Sequence, residues 1–141
     1  MNGKAIIQNT VVRYLEPIDE ITLAFLFGSV VNRDSFRDID IALQLVRDFP
    51  RVNYLNFQLD LQLRLQEVLK NEVDLIILDQ ASPLLRYKVL KTGILIIEKD
   101  RAAFRDFFKR TIDEYFDFLP VFNLYREKMR RRPLSWPILM S

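Results

Sequence analysis

The chain has no cysteine and no histidine. Without cysteine there are no disulfides, no thiolate nucleophile and no cysteine-based zinc site. Without histidine there is no Ser-His-Asp triad and no imidazole base. Any acid–base or metal chemistry must therefore use carboxylates, Lys, Tyr or water. A net charge of +2 is too small to argue for a nucleic-acid partner. No apolar run approaches the ~18 residues that a membrane helix needs, and the N-terminus lacks the basic, apolar and small-residue succession of a secretion signal. A cytoplasmic protein without membrane attachment is the expectation. What the 141 residues do have is apolar mass: half are hydrophobic and 12% aromatic. That suits one domain with a sizeable core.

The chain's organising stretch is Leu26-Phe27-Gly28-Ser29, then eight residues, then Asp38-Ile39-Asp40-Ile41-Ala42-Leu43. Side chains alternate along a strand, so Asp38 and Asp40 share one face while Ile39 and Ile41 share the other. Two carboxylates about 7 Å apart on one face repel unless something lies between them. A hard divalent cation is the natural occupant, and Mg²⁺ takes one or two protein carboxylates with water and phosphate oxygens. Gly28 permits a sharp turn and close backbone approach. Ser29 offers a hydroxyl and N–H groups to an oxyanion. Alone, Gly-Ser is a common turn and Asp-x-Asp is usually a solvated strand edge. Their order and spacing between apolar runs make the combination far more specific.

The rest of the chain supplies a frame. Met1 to Glu16 has the spacing of an amphipathic helix that Pro17 closes. Glu20 to Phe27 reads as a central strand covered on both faces. Asn53 to Lys70 is a long helix with Phe57, Leu61, Leu65 and Val68 on one stripe. A second stripe of Leu55, Leu59 and Leu63 is wider than a simple surface helix needs; it is either buried or faces a partner, and burial is the expectation. Glu72 to Leu78 is a strand carrying Asp74 near its start. An unpaired carboxylate in such a strand is costly, so Asp74 should have a partner. Beside the Asp38–Leu43 strand it would make a third carboxylate. Asp79 reads as a turn or cap residue, and Ser82-Pro83 opens a helix that ends at Gly93. Ile94 to Ile97 forms a fourth strand. A strongly amphipathic helix from Asp100 to Phe118 is expected to kink or end at Pro120. Val121 to Arg132 continues it, ending in the basic run Arg126, Lys128, Arg130, Arg131 and Arg132.

Leu26-Phe27-Gly28-Ser29, Asp38-Ile39-Asp40-Ile41 and Val73-Asp74-Leu75 together resemble the nucleotidyltransferase superfamily that includes DNA polymerase β and the kanamycin-type nucleotidyltransferases. More narrowly, they are similar to the minimal nucleotidyltransferases (MNT), antitoxins paired with HEPN-domain toxins. Glu114-Tyr115-Phe116-Asp117-Phe118 is similar to a Tyr-x-Asp segment near the C-terminus of those antitoxins. The resemblance implies an α/β fold: a small mixed β-sheet flanked by helices, with an added C-terminal helix. It implies a nucleotidyltransferase domain over residues 1–132 and an apolar tail over 133–141.

It further implies a function. ATP would be the substrate and Mg²⁺ the cofactor, as two ions held by Asp38, Asp40 and Asp74. Gly28, Ser29 and Arg33 would bind nucleotide. AMP would pass to a Tyr hydroxyl of a cognate HEPN ribonuclease toxin, with which the chain would form a hetero-oligomer. The alternative is a catalytically inactive antitoxin that neutralises its partner by binding alone, through the C-terminal helix and tail. The loop between Ser29 and Asp38 is shorter than the family's usual one, which speaks for that alternative. The three aspartates speak against it. Transfer to a small molecule is a weaker expectation, because so short a chain lacks an extra domain to wall a pocket. No alternating aromatic and basic platform suggests a nucleic-acid strand as direct ligand.

Overall fold

The computed structural model describes residues 3–32 and 38–131. In chain order these form α1 (Gly3–Leu15), β1 (Ile21–Phe27), α2 (Ser29–Asn32), β2 (Asp38–Leu45), α3 (Tyr54–Leu69), β3 (Glu72–Ile77), α4 (Pro83–Thr92), β4 (Ile94–Glu98) and α5 (Arg101–Arg131). The strands make one four-stranded sheet in the order β3-β2-β1-β4. β1 pairs antiparallel with β2 and with β4, whereas β2 and β3 run parallel. The sheet is therefore mixed, as expected.

Alternation along the strands feeds two cores. Ala24, Leu26, Ile39, Ile41, Leu43, Val73 and Leu75 pack with Val11 and Leu15 of α1 and Leu61 and Leu65 of α3. On the other face Leu23, Phe25, Phe27 and Ala42 pack with Val89 of α4 and Phe107 of α5. Full burial of such a side chain contributes about 1.5–3 kcal/mol. The second core is anchored by Phe25 and Phe107, whose ring centroids lie 5.9 Å apart. A sheet covered on both faces explains why β1 reads as a nearly continuous apolar run.

The helix boundaries have local causes. Ser82 caps α4, its hydroxyl accepting from the Leu85 N–H at 3.2 Å with Pro83 in the first turn. Gly93 ends α4, its N–H bonding the Val89 carbonyl. α3 is closed by Lys70 in the left-handed region (φ 55°), and the Asn71 side chain accepts from the Glu72 N–H. α5 runs unbroken through Pro120. The proline removes one internal hydrogen bond, but this part of the helix stands in solvent, where water satisfies the freed carbonyl. The expected end at Pro120 is thus not a boundary. The tail, residues 133–141, lies outside the described residues.

Strand β3 is an edge strand, and α3 closes that edge with its own side chains. Gln62 accepts from the Leu75 N–H at 3.3 Å and Gln66 from the Val73 N–H at 3.2 Å, while the Gln58 amide donates to the Leu75 carbonyl at 2.6 Å. Three glutamines four residues apart lie on one side of a helix. They occupy backbone groups that would otherwise invite another strand. The second leucine stripe of α3 is not buried. Leu55, Leu59 and Leu63 face solvent. The core takes the opposite side of the helix, through Tyr54, Leu61 and Leu65.

Candidate active site

β1 ends at Phe27, and the backbone turns at Gly28 with φ +75°. That angle disfavours any side chain. Space forbids one too: a Cβ at residue 28 would lie 2.0 Å from Oδ2 of Asp40. Gly28 thus lets the chain turn and leaves room for the Asp40 carboxylate. Ser29 follows at the start of the single-turn α2. Its hydroxyl donates to the Asp38 carbonyl at 3.5 Å, tying together the two ends of the loop. Arg33 lies outside the described residues.

The register sets the carboxylates. Asp40 sits opposite Phe27 on β1 and opposite Asp74 on β3, and Asp38 sits opposite Glu72. Because β2 and β3 are parallel and aligned, Asp38, Asp40 and Asp74 share one sheet face, the face that carries α4 and α5. Asp38 and Asp40 are half-buried and Asp74 is exposed. The Asp40 carboxyl is pushed above the ordinary carboxylate range, first by burial and then by the charges of Asp74 and Asp38. The Lys88 ammonium on α4 opposes that rise. Three like charges with one nearby cation form a site that favours a positive guest.

Lys88 is the residue that sequence reasoning did not find. It lies within the α4 segment that the sequence outlines, but nothing in the periodicity says that this helix crosses the face bearing the aspartates. The donor set is all oxygen, which suits a hard cation. Among the described residues no three Asp, Glu or His side chains converge closely enough to hold an ion by themselves. The arrangement therefore suits an ion that takes one or two carboxylates and completes its shell with water and a ligand's phosphate oxygens.

Asp79 is set apart from this site. It lies in the 3-10 turn Leu78–Gln80 at the opposite end of the sheet, and its carboxylate accepts from the Leu45 N–H at 3.2 Å. It is the turn residue expected, and it also braces β2 to the turn after β3. A broad cleft of about 950 Å³ opens at that same end, lined by Gln44, Arg51, Asp79, Arg86, Lys99 and Arg110 among others. It does not include the three aspartates.

The family model described as "Polymerase beta, Nucleotidyltransferase" matches residues 9–102. No curated protein matches the chain. Among solved structures, a toxin–antitoxin complex with AMP-PNP contains a chain with a TM-score of 0.72 and 24% identity, the match covering 86% of this chain and 96% of that one. A tri-AMPylated Shewanella oneidensis HEPN toxin in complex with its MNT antitoxin matches with a TM-score of 0.70 and 23% identity, over 89% and 97% of the two chains. The toxin–antitoxin MntA–HepT matches with a TM-score of 0.69 and 22% identity, over 88% and 97%. These likenesses establish the shared fold. The family match spans most of β1 to β4, and both ends of the Gly28–Asp40 stretch and Asp74 fall within it; the chain belongs to the polymerase β nucleotidyltransferase family.

Proposed function

We propose that this chain is the antitoxin of a HEPN toxin pair and that it transfers AMP from ATP to a Tyr hydroxyl of that toxin. The observation that carries the reading is the register of Asp40 against Asp74 beside the Gly28 turn. It collects three carboxylates next to the turn where a nucleotide's phosphates would lie. The similar structures support the partner and the modification, since one holds AMP-PNP and another holds an AMPylated HEPN toxin.

In this reading Asp38 and Asp40 hold Mg²⁺, with Asp74 assisting. Bound Mg²⁺ supplies neutralisation of the triphosphate charge and a lowered pKa at the acceptor hydroxyl. Gly28 keeps the turn low so that phosphate oxygens approach the backbone. Ser29, Arg33 and the N–H groups of the turn orient the β- and γ-phosphates. Asp74, the exposed member, takes up the proton from the acceptor hydroxyl, directly or through water. The acceptor oxygen bonds to the α-phosphorus, the bond from that phosphorus to the bridging oxygen breaks, and pyrophosphate leaves. Such transfer asks mainly for positioning and charge neutralisation. Lys88 balances part of the carboxylate charge beside Asp40.

The second reading is neutralisation by binding alone. Its support is the short loop of eight residues between Ser29 and Asp38. One experiment separates the two. The purified chain is mixed with its partner, ATP and Mg²⁺, and intact masses are measured beside an Asp40→Asn control. Addition of AMP units to the partner by the wild-type chain alone establishes transfer. Tight binding with no added mass, across nucleotides and metals, establishes occlusion.

A further inference from the structure

The cations of α4 stand on two flanks with different fates. Val89 is fully buried and turns one face of the helix onto the sheet, among Leu23, Phe25 and Phe27 of β1. A neighbouring flank belongs to α5: Arg86 bonds Glu114, and the Tyr87 ring stacks on Tyr115 with centroids 3.7 Å apart. Successive residues of a helix step by about 100°, so Lys88 falls on the other flank, away from α5. It is exposed, and among the described residues its ammonium closes no ion pair.

The course of α4 decides which end of the sheet that flank serves. The helix starts at Pro83, after the Asp79 turn, and ends at Gly93. Gly93 lies close against the end of β1. A Cβ there would come 3.0 Å from the Leu26 carbonyl oxygen and 3.5 Å from Cβ of Phe27. The next residue after Phe27 is Gly28, so the last turns of α4 stand over β1 beside the Gly28 turn. The strand order then gives Asp40 two distinct sides. Asp74 on β3 lies to one side of β2, and β1 with Gly28 lies to the other. The Lys88 ammonium acts on the Asp40 carboxylate from the β1 side.

In-line transfer gives those sides different work. The acceptor hydroxyl comes in beside Asp74, and the leaving group departs on the opposite side of the α-phosphorus. That opposite side is the one where Gly28, Ser29 and Lys88 stand. A lysine is a point charge on a flexible four-carbon stem, so it can turn from a carboxylate to a phosphate without moving its helix.

We propose that Lys88 is a phosphate-binding residue of this site, its ammonium holding the β- and γ-phosphates of the nucleotide, the part that leaves as pyrophosphate. The inference rests on the transferase reading above and extends it to substrate selection. A nucleoside triphosphate reaches Lys88. A monophosphate, which ends at the α-phosphorus, does not.

The test needs no transfer. The probe is α,β-methylene-ATP, whose bridging carbon the reaction cannot cleave, titrated into the chain alone with Mg²⁺ in a calorimeter. AMP is titrated in parallel. Lys88→Met should weaken α,β-methylene-ATP at least tenfold, the scale of a lost charge-assisted contact, and change AMP less than twofold. Lys88→Arg should recover most of the loss. Lys109→Met, at an exposed lysine of α5, should alter neither ligand. Because Lys88 is exposed, the variants should melt as the wild type does, and Lys88→Gln carries the same comparison if Met lowers stability. Equal binding of α,β-methylene-ATP by wild type and Lys88→Met overturns the inference and leaves the transferase reading standing. Equal losses for AMP and the triphosphate overturn the assignment to the leaving phosphates. A wild-type chain that binds no nucleotide overturns both. If the binding pattern holds but no AMP reaches the partner, the transfer reading falls alone and Lys88 keeps its role.

Discussion

The two ends of the sheet are built on opposite principles. At one end Asp38, Asp40 and Asp74 share a face, and burial first, then the charges of Asp74 and Asp38, raises the Asp40 carboxyl. At the other end the broad cleft is lined by acids and bases that answer each other: Arg86 bonds Glu114, Arg47 lies 3.7 Å from Asp106, and Asp79 holds the Leu45 N–H. Charge there is largely spent on holding β2, α4 and α5 together. The broad cleft is thus the end whose charges are more nearly matched, and like charge gathered on one face is the better pointer to a candidate site.

If that contrast is right, removing a carboxylate at the first end should cost chemistry and spare the fold. Asp40→Asn is expected to lower transfer at least ~100-fold, the scale of losing a principal electrostatic group, with no loss of melting temperature. Asp38→Asn should behave likewise. Single-turnover mass spectrometry with thermal unfolding reads both quantities. Transfer at the wild-type rate in either variant would falsify the assignment of the site. Gly28→Ala should damage both fold and chemistry. It forces a Cβ to within 2.0 Å of the Asp40 carboxylate at a positive φ, and such strain costs roughly 1–3 kcal/mol. A Gly28→Ala protein with unchanged melting temperature would mean that the Asp40 side chain moves aside freely.

The opposite end should respond in reverse. Asp79→Ala removes the acceptor of the Leu45 N–H, and an unsatisfied buried donor costs about 1–3 kcal/mol. Stability should fall by that order while transfer stays near wild type. Asp79→Asn keeps an acceptor oxygen and should recover most of the loss. A large loss of transfer in Asp79→Ala, at temperatures where the protein is folded, would erase the distinction between the two ends.

Much of this was readable in the residues. The Asp-x-Asp period, the apolar flanks and Gly28-Ser29 place the end of β1, the turn and the start of β2 where the structure has them, because strand alternation and glycine's backbone freedom are local rules. The partnership of Asp74 with Asp40 follows once β2 and β3 are adjacent, as they are. Periodicity failed where the answer depends on what lies outside an element. Leucines at 55, 59 and 63 satisfy a burial pattern as well as Leu61 and Leu65 do, and nothing local says that only one side of α3 meets the sheet. The longer-range contacts of Asp79 and Lys88 were not legible for a related reason. One braces a strand 34 residues away, and the other reaches Asp40 across a helix–sheet packing. The helical continuation past Pro120 was legible, and the proline is tolerated inside α5 because its penalty is smallest where water can replace the lost bond.

The smallest expected effect is also the most direct probe of unanswered charge. Burial and the Asp74 and Asp38 charges raise the Asp40 carboxyl above its ordinary value of 3.8. The folded chain therefore holds that proton more tightly than the unfolded chain does. As pH rises from below 3.8 through the raised folded value, ionisation destabilises the native state. Above that window the penalty is constant. Asn at this position carries no such penalty, so Asp40→Asn should gain stability relative to wild type as pH climbs through the window, and keep the gain at neutral pH. Asp40 is only partly buried, and solvent screening limits the difference to about 0.5–1 kcal/mol. Urea midpoints of the two proteins across the acid range measure it. Parallel curves would mean that neither burial nor the neighbouring carboxylates burden Asp40, and the first end of the sheet would then be as settled as the second.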